Sequence, residues 1–144
     1  MNASLHIVIL AAGKGTRMYS KLPKVLHQIG GLPLVQHVIN TAQSLEPASI
    51  QVVIGHGKEQ VQAQIQSNVS WVVQDQQLGT GHAVKCALPN LPKDGKTLIL
   101  YGDVPLTDAE TLQQLLLQAG NEVGLLTDVL DNPHGLGRII RNEQ

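Results

Sequence analysis

Apolar positions along this chain alternate between runs and helical stripes. Leu5-His6-Ile7-Val8-Ile9-Leu10 is almost wholly apolar and predicts a central parallel strand covered on both faces. Gly30-Gly31 then breaks the chain, and Pro33 suits the first turn of a helix. Leu34, Val35, Val38, Ile39, Ala42 and Leu45 recur at helical spacing until Pro47. Ile50-Gln51-Val52-Val53-Ile54 predicts a second strand. Lys58 to Gln66 predicts a weaker helix with Val61 and Ile65 as its stripe, and Ser70 to Gln74 a third strand. A polar loop from Asp75 to Gly81 leads into a helix that starts at Thr80 or Gly81 and runs through Leu88. Thr97 to Tyr101 predicts the fourth strand. Thr107-Asp108-Ala109-Glu110 has the form of a capping box, which puts the N-cap at Thr107 and continues the helix through Leu112, Leu115, Leu116 and Ala119. Glu122 to Leu130 predicts a fifth strand and Gly137-Arg138-Ile139-Ile140 a further extended segment. Alternation of strand and helix predicts an α/β fold, a mostly parallel sheet flanked by helices.

That fold has a functional edge. Loops leaving the carboxyl ends of parallel strands lie on one side of the sheet, where ligands bind. Three such loops are chemically distinctive here. Ala11–Arg17 carries glycines and cations, followed by Lys24; Gln74–Gly81 carries amides and glycines; Tyr101-Gly102-Asp103 ends a buried strand on a carboxylate. Glycines expose backbone N–H groups, and Lys14, Arg17 and Lys24 beside them point to an anion, most often phosphate. Amides can read a base edge and a carboxylate can hold a hard metal, so the three loops together suggest a nucleotide with Mg²⁺.

Composition narrows this little. At 144 residues the chain suffices for one domain, and its net charge of −1 implies no general attraction to nucleic acid or to anionic membranes. Aromatics are confined to Trp71, Tyr19 and Tyr101, too few for a stacking platform. One cysteine, Cys86, excludes an internal disulfide and sits among small apolar residues as expected of a buried, inert thiol. No signal peptide or membrane span is evident, so the chain reads as soluble and cytoplasmic. The six histidines show no paired metal spacing.

Familiar nucleotide motifs do not transfer unchanged. Gly13-Lys14-Gly15-Thr16-Arg17-Met18 lacks the third glycine of the dinucleotide fingerprint, and no P-loop run occurs. Leu10-Ala11-Ala12-Gly13-Lys14-Gly15-Thr16-Arg17-Met18 with Leu22-Pro23-Lys24 instead resembles the signature of the sugar-nucleotide pyrophosphorylases. Gln74 with Gln77-Leu78-Gly79-Thr80-Gly81-His82-Ala83, Tyr101-Gly102-Asp103-Val104-Pro105-Leu106 and Gly135-Leu136-Gly137-Arg138-Ile139 narrow the resemblance. They are similar to the N-terminal uridylyltransferase domain of the bacterial GlmU family, which are bifunctional N-acetylglucosamine-1-phosphate uridyltransferases and glucosamine-1-phosphate acetyltransferases.

The resemblance implies a Rossmann-like nucleotide-diphospho-sugar transferase fold in which residues 1–144 form the N-terminal part of the uridylyltransferase domain. It implies transfer of UMP from UTP to N-acetylglucosamine 1-phosphate, which serves peptidoglycan and lipopolysaccharide precursor synthesis. By position, Leu10, Ala11, Ala12 and Gly13 cradle UTP, Arg17 neutralises its outer phosphates, and Lys24 lies against the reacting phosphates. Arg17 and Lys24 are thus the catalytic pair. Gln74 and Gly79 read the uracil, Thr80 supports that loop, and Tyr101 and Gly102 complete the substrate-binding set. Asp103 holds Mg²⁺, and Gly137 contacts the sugar. From the residues alone, Tyr101 is a packing residue; a turn glycine at Gly137 and a purely structural His82 are open alternatives; and Arg17 and Lys24, which would each read singly as a solvated cation, favour phosphate contact within this loop.

The chain stops at Gln144, whereas the family's domain continues. Further sugar contacts, a second metal ligand and the trimerising acetyltransferase β-helix are expected to lie beyond it. The expectation is therefore a C-terminally incomplete fold with an uncovered sheet edge, able to bind UTP with little turnover and with no oligomeric state readable from the chain. A nucleotidyltransferase for another sugar 1-phosphate, or a nucleotide-binding module without turnover, are the alternatives.

Overall fold

The computed structural model describes residues 4–141, apart from the side chain of Arg17. The run Leu5–Leu10 forms strand β1. After a loop and two single 3-10 turns, Thr16–Met18 and Lys24–Leu26, the chain makes a small hairpin from β2 (Gln28–Ile29) and β3 (Leu32–Pro33). Helix α1 (Leu34–Ser44), β4 (Ser49–Ile54), α2 (Lys58–Gln64), β5 (Ser70–Val73), α3 (Thr80–Ala87), β6 (Lys96–Tyr101) and α4 (Ala109–Ala119) follow.

The main sheet has the order β5-β4-β1-β6, with every pairing parallel. The apolar β1 is central, as its composition predicts, because both faces must be covered. Period-two alternation sorts its side chains. Ile7, Ile9 and Ala11 pack with Val35, Val38, Ile39, Val61 and Leu112, from α1, α2 and α4. Val8, Leu10 and Ala12 pack on the other face with Ala83 and Ala87 of α3. The chain moves outward from β1 through β4 to β5, then returns to pair β6 with the opposite edge of β1. This reversal makes β1 the switch point of a doubly wound, Rossmann-like sheet, and the crevice at its carboxyl end is the expected ligand site. No helix among the described residues is long and apolar enough to cross a membrane.

Several local expectations are corrected. Pro33 is not in the first turn of α1. It pairs with Gln28 in the hairpin and occupies the N-cap with extended geometry. Thr107 does not cap α4. Asp108 does, its Oδ1 accepting from the Thr111 N–H at 2.7 Å. With Asp108 at the N-cap, N3 is Thr111 and not Glu110, so the box does not form; the Asp108 carboxylate, a charged acceptor, makes a stronger bond to the N3 N–H than a hydroxyl would. Cys86 is half-buried rather than buried. The largest correction concerns residues 122–130 and 137–140, which form no strand. Val123 is 98% exposed and Val129 96% exposed. An apolar run becomes a strand only where a neighbour completes its backbone hydrogen bonds. Among the described residues the outer edge of β6 carries no partner strand.

Candidate active site

At the carboxyl edge of the sheet, the ends of β1, β5 and β6 surround a cleft of about 620 Å³. Leu10, Ala11, Ala12, Gly13, Lys24, Gln74, Gly79, Thr80, Tyr101 and Asp103 line it, together with Gly15, Thr16, Met18, Val25, Gln77 and Ala83. Ten of the residues singled out in the sequence therefore share one concavity. They come from chain segments far apart in sequence and meet because parallel strands end on one side.

Local structure explains how each is held. Ala11 donates from its N–H to the Val53 carbonyl at 2.8 Å, and Gly102 to the Leu10 carbonyl at 2.9 Å, so the exits of β1, β4 and β6 are tied together. Gly102 is buried behind the cleft wall, not in it. A Cβ there would meet the Ala11 Cβ and the Leu10 carbonyl at 3.2 Å. The loop after β1 then turns at Gly15, in the left-handed region at φ 60°, where a Cβ would come within 2.7 Å of the Lys24 Cβ. The glycine signature thus does more than expose backbone N–H groups. It admits Lys24, the third of the cations, which packs directly on the loop.

The central polar contact is Lys24 with Asp103. Nζ donates to Oδ2 at 2.6 Å, with the side chains 40% and 28% exposed. At that exposure the pair contributes little to stability, about 0–1 kcal/mol. Its value is positional, since it presents one cation and one carboxylate side by side over the cleft floor. Opposite them, no side chain caps α3, whose N-terminal residues Gly79 and Thr80 reach the cleft. The uncapped N–H groups of the first turn are donors for an anion or a base carbonyl. Gln74 is only 3% exposed, and its Nε2 donates to the Gly79 carbonyl at 3.1 Å. Gln77 enters the space left by the missing side chain of Gly55, where a Cβ would lie 2.7 Å from Gln77 Nε2. Its buried Oε1 has no partner among the described residues.

Not every expected residue arrives. Gly137 lies in the exposed stretch after α4 and does not line the cleft. Lys14 lines a neighbouring cleft of about 510 Å³ with His56, Lys58 and Asp75, on the β4–β5 side. Arg17 falls in the turn Thr16–Met18 beside the cleft, and its side chain lies outside the described residues. Sequence reasoning missed Gln77 as a buried acceptor, Gly55 as the space that admits it, and Gly15 as the seat of Lys24. The Gly-x-Gly spacing was the available signal for the last.

Asp103 was the expected metal ligand. No group of three or more candidate ligand side chains exists among the described residues. That does not exclude Mg²⁺, which keeps several waters and is bound through one or two carboxylates plus substrate phosphates. Asp103, partly exposed at a strand end on the cleft, fits that donor set with Oδ1 clear of Lys24.

Comparison with known proteins adds independent findings. Residues 7–132 match the MobA-like NTP transferase domain family. The chain is 68% identical over 139 residues to the bifunctional protein GlmU of Neisseria meningitidis serogroup B, covering 96% of this chain and 30% of that protein. Against the bifunctional protein GlmU of Chromobacterium violaceum the identity is 61%, with the same coverage. The chain thus spans less than a third of the length of these relatives. Among solved structures, the Acinetobacter baumanii UDP-glucose pyrophosphorylase superposes with a TM-score of 0.70 at 21% identity, covering 84% of this chain and 53% of that one. Rv0371c of Mycobacterium tuberculosis, in complex with manganese, superposes with a TM-score of 0.68 at 19% identity, covering 83% and 61%. At those identities the structures establish the α/β fold.

Proposed function

Because the chain belongs to the MobA-like NTP transferase domain family, we propose that residues 1–144 are the UTP-binding, N-terminal part of a cytoplasmic uridylyltransferase. The reaction joins UMP from UTP to N-acetylglucosamine 1-phosphate and releases pyrophosphate. The observation that carries this reading is the cleft itself, where a glycine loop, an uncapped helix N-terminus, buried amides and the Lys24–Asp103 pair converge at the sheet's switch point. High identity to the GlmU proteins supports the choice of nucleotide and sugar.

In this mechanism an oxygen of the sugar phosphate attacks the α-phosphorus of UTP. The bond from that phosphorus to the β-phosphate oxygen breaks, and pyrophosphate leaves with the electron pair. The nucleophile is already an anion, so no general base is required. The protein's tasks are positioning and charge neutralisation. Backbone from Leu10 to Gly13 seats the nucleotide, Gln74 and Gly79 face the base, and Thr80 supports that loop. Tyr101 flanks the substrate and Gly102 fixes the strand end beneath it. Lys24 places its ammonium where negative charge builds at the α-phosphorus, and Arg17 is assigned to the outer phosphates. Asp103 would hold Mg²⁺, which supplies Lewis-acid neutralisation of phosphate charge when bound. Gly137 is assigned to the sugar. That Gly137 is exposed and does not line the cleft supports a chain that binds UTP with little turnover by itself.

Calorimetric titration of the 144-residue chain with UTP and Mg²⁺, paired with a pyrophosphate-release assay after adding N-acetylglucosamine 1-phosphate, tests both parts. Saturable UTP binding with at most slow release is expected. Absence of UTP binding would overturn the function, and rapid release would overturn the low-turnover part.

A further inference from the structure

We propose that His82 is a positioning residue that sets which atom of the Gln74 amide meets the nucleobase. The inference rests on the UTP reading above. Gln74 Nε2 lies 3.1 Å from the Gly79 carbonyl oxygen and 2.9 Å from His82 Nδ1. A carbonyl oxygen can only accept, so the amide atom facing Gly79 must be the nitrogen. Its second hydrogen is then directed at His82 Nδ1. That atom can accept only if the imidazole is neutral with its proton on Nε2. Nε2–H in turn faces the Cys86 sulfur at 4.0 Å, a weak acceptor suited to that tautomer. Both amide hydrogens are consumed inside a residue that is 3% exposed.

The consequence falls on the other end of the amide. With Nε2 doubly engaged, Oε1 is the end of the amide left for a ligand: no described residue donates to it, and Gln74 lines the cleft as well as its neighbour on the β4–β5 side. The base site therefore offers an acceptor from Gln74 and not a donor. An acceptor matches a base with an imide N–H, as uracil has at N3. Cytosine carries a bare lone pair at the same position and is repelled. Without the His82 lone pair, Gln74 keeps a single anchor at Gly79, and one amide hydrogen loses its buried partner. Rotamers that restore that partner from solvent or ligand then compete with the uracil-reading orientation. His82 touches no base in this scheme. It acts through Gln74, from the first turn of α3, the helix that begins directly after Gly79.

UTP and CTP share every phosphate and ribose contact, so the ratio of their dissociation constants isolates the base. In the 144-residue chain the ratio is expected to favour UTP. His82→Ala should lower that preference about tenfold. His82→Asn, whose amide oxygen can replace Nδ1 as acceptor, should retain most of it. A ratio unchanged in His82→Ala would overturn the assignment. Failure of the unsubstituted chain to bind UTP would instead strike the proposed function. ¹⁵N NMR of the unsubstituted chain decides the positioning role without ligand or substitution. Nδ1 of His82 is expected to be unprotonated and Nε2 protonated, and the opposite tautomer would overturn the proposal.

Discussion

Replacing Gly15 with alanine puts the loop-to-lysine packing to a quantitative test. Two penalties act at this site. Gly15 has φ 60°, a left-handed conformation that costs an alanine about 1–2 kcal/mol. The new Cβ would also stand 2.7 Å from the Lys24 Cβ and 3.5 Å from the Lys24 Cα and N, where carbon pairs prefer about 3.5–4.0 Å. The contact cannot be relieved by swinging a flexible tip, because a Cβ moves only with its backbone. That backbone is the turn Lys24–Leu26, whose Val25 and Leu26 are 5% and 1% exposed in the core. Overpacking of this kind costs about 1–3 kcal/mol, so Gly15→Ala should lose about 2–5 kcal/mol in total. Gly13→Ala is the internal control. Its Cβ meets nothing within 4 Å and its φ is outside the left-handed region. The change should fall within about 0.5 kcal/mol of neutral. Equilibrium urea unfolding of the three chains is the assay. With a slope of about 1–3 kcal/mol/M, the Gly15→Ala midpoint should fall by about 0.7–5 M, or about 1.7 M at the middle of both ranges. Coincident midpoints for Gly15→Ala and Gly13→Ala would refute the claim that Lys24 is seated on Gly15.

Two further outcomes follow from the site and the fold. Asp103→Asn should leave the unfolding midpoint nearly unchanged, since the Lys24 pair is partly exposed, yet weaken Mg²⁺-dependent UTP binding at least about tenfold; an unaltered Mg²⁺ titration would remove Asp103 from the metal site. Asp108 accepts the Thr111 backbone hydrogen bond, and this holds its carboxyl below the ordinary aspartate range. A depressed folded-state value means that its contribution is complete above the unfolded-state value and is lost as pH falls through the folded one. Asp108→Ala should therefore flatten that acidic part of the stability profile, while Thr107→Ala should not. The reverse result in a pH series of thermal melts would restore Thr107 as the cap.

What the sequence determined was what local pattern can determine. The apolar run Leu5–Leu10 could only be satisfied at the centre of the sheet, and strand–helix alternation could only close into parallel strands. Parallel strands in turn put the loops at Ala11, Gln74 and Tyr101 on one edge, so most of the cleft lining was legible before any coordinates. Tertiary structure decided whatever depends on a partner distant in sequence. Lys24 and Asp103 are 79 positions apart, and nothing in either loop announces their contact. Two capping candidates competed at α4, and geometry chose Asp108 over Thr107. Residues 122–130 have the composition of a strand but pair with no sheet edge, although the outer edge of β6 is free among the described residues, and composition alone cannot dock one on the other. Gln74 could be read as an amide facing a base. Which of its two ends faces that base is set by the Gly79 carbonyl and the His82 ring, because a hydrogen bond's direction exists only once both partners are in place.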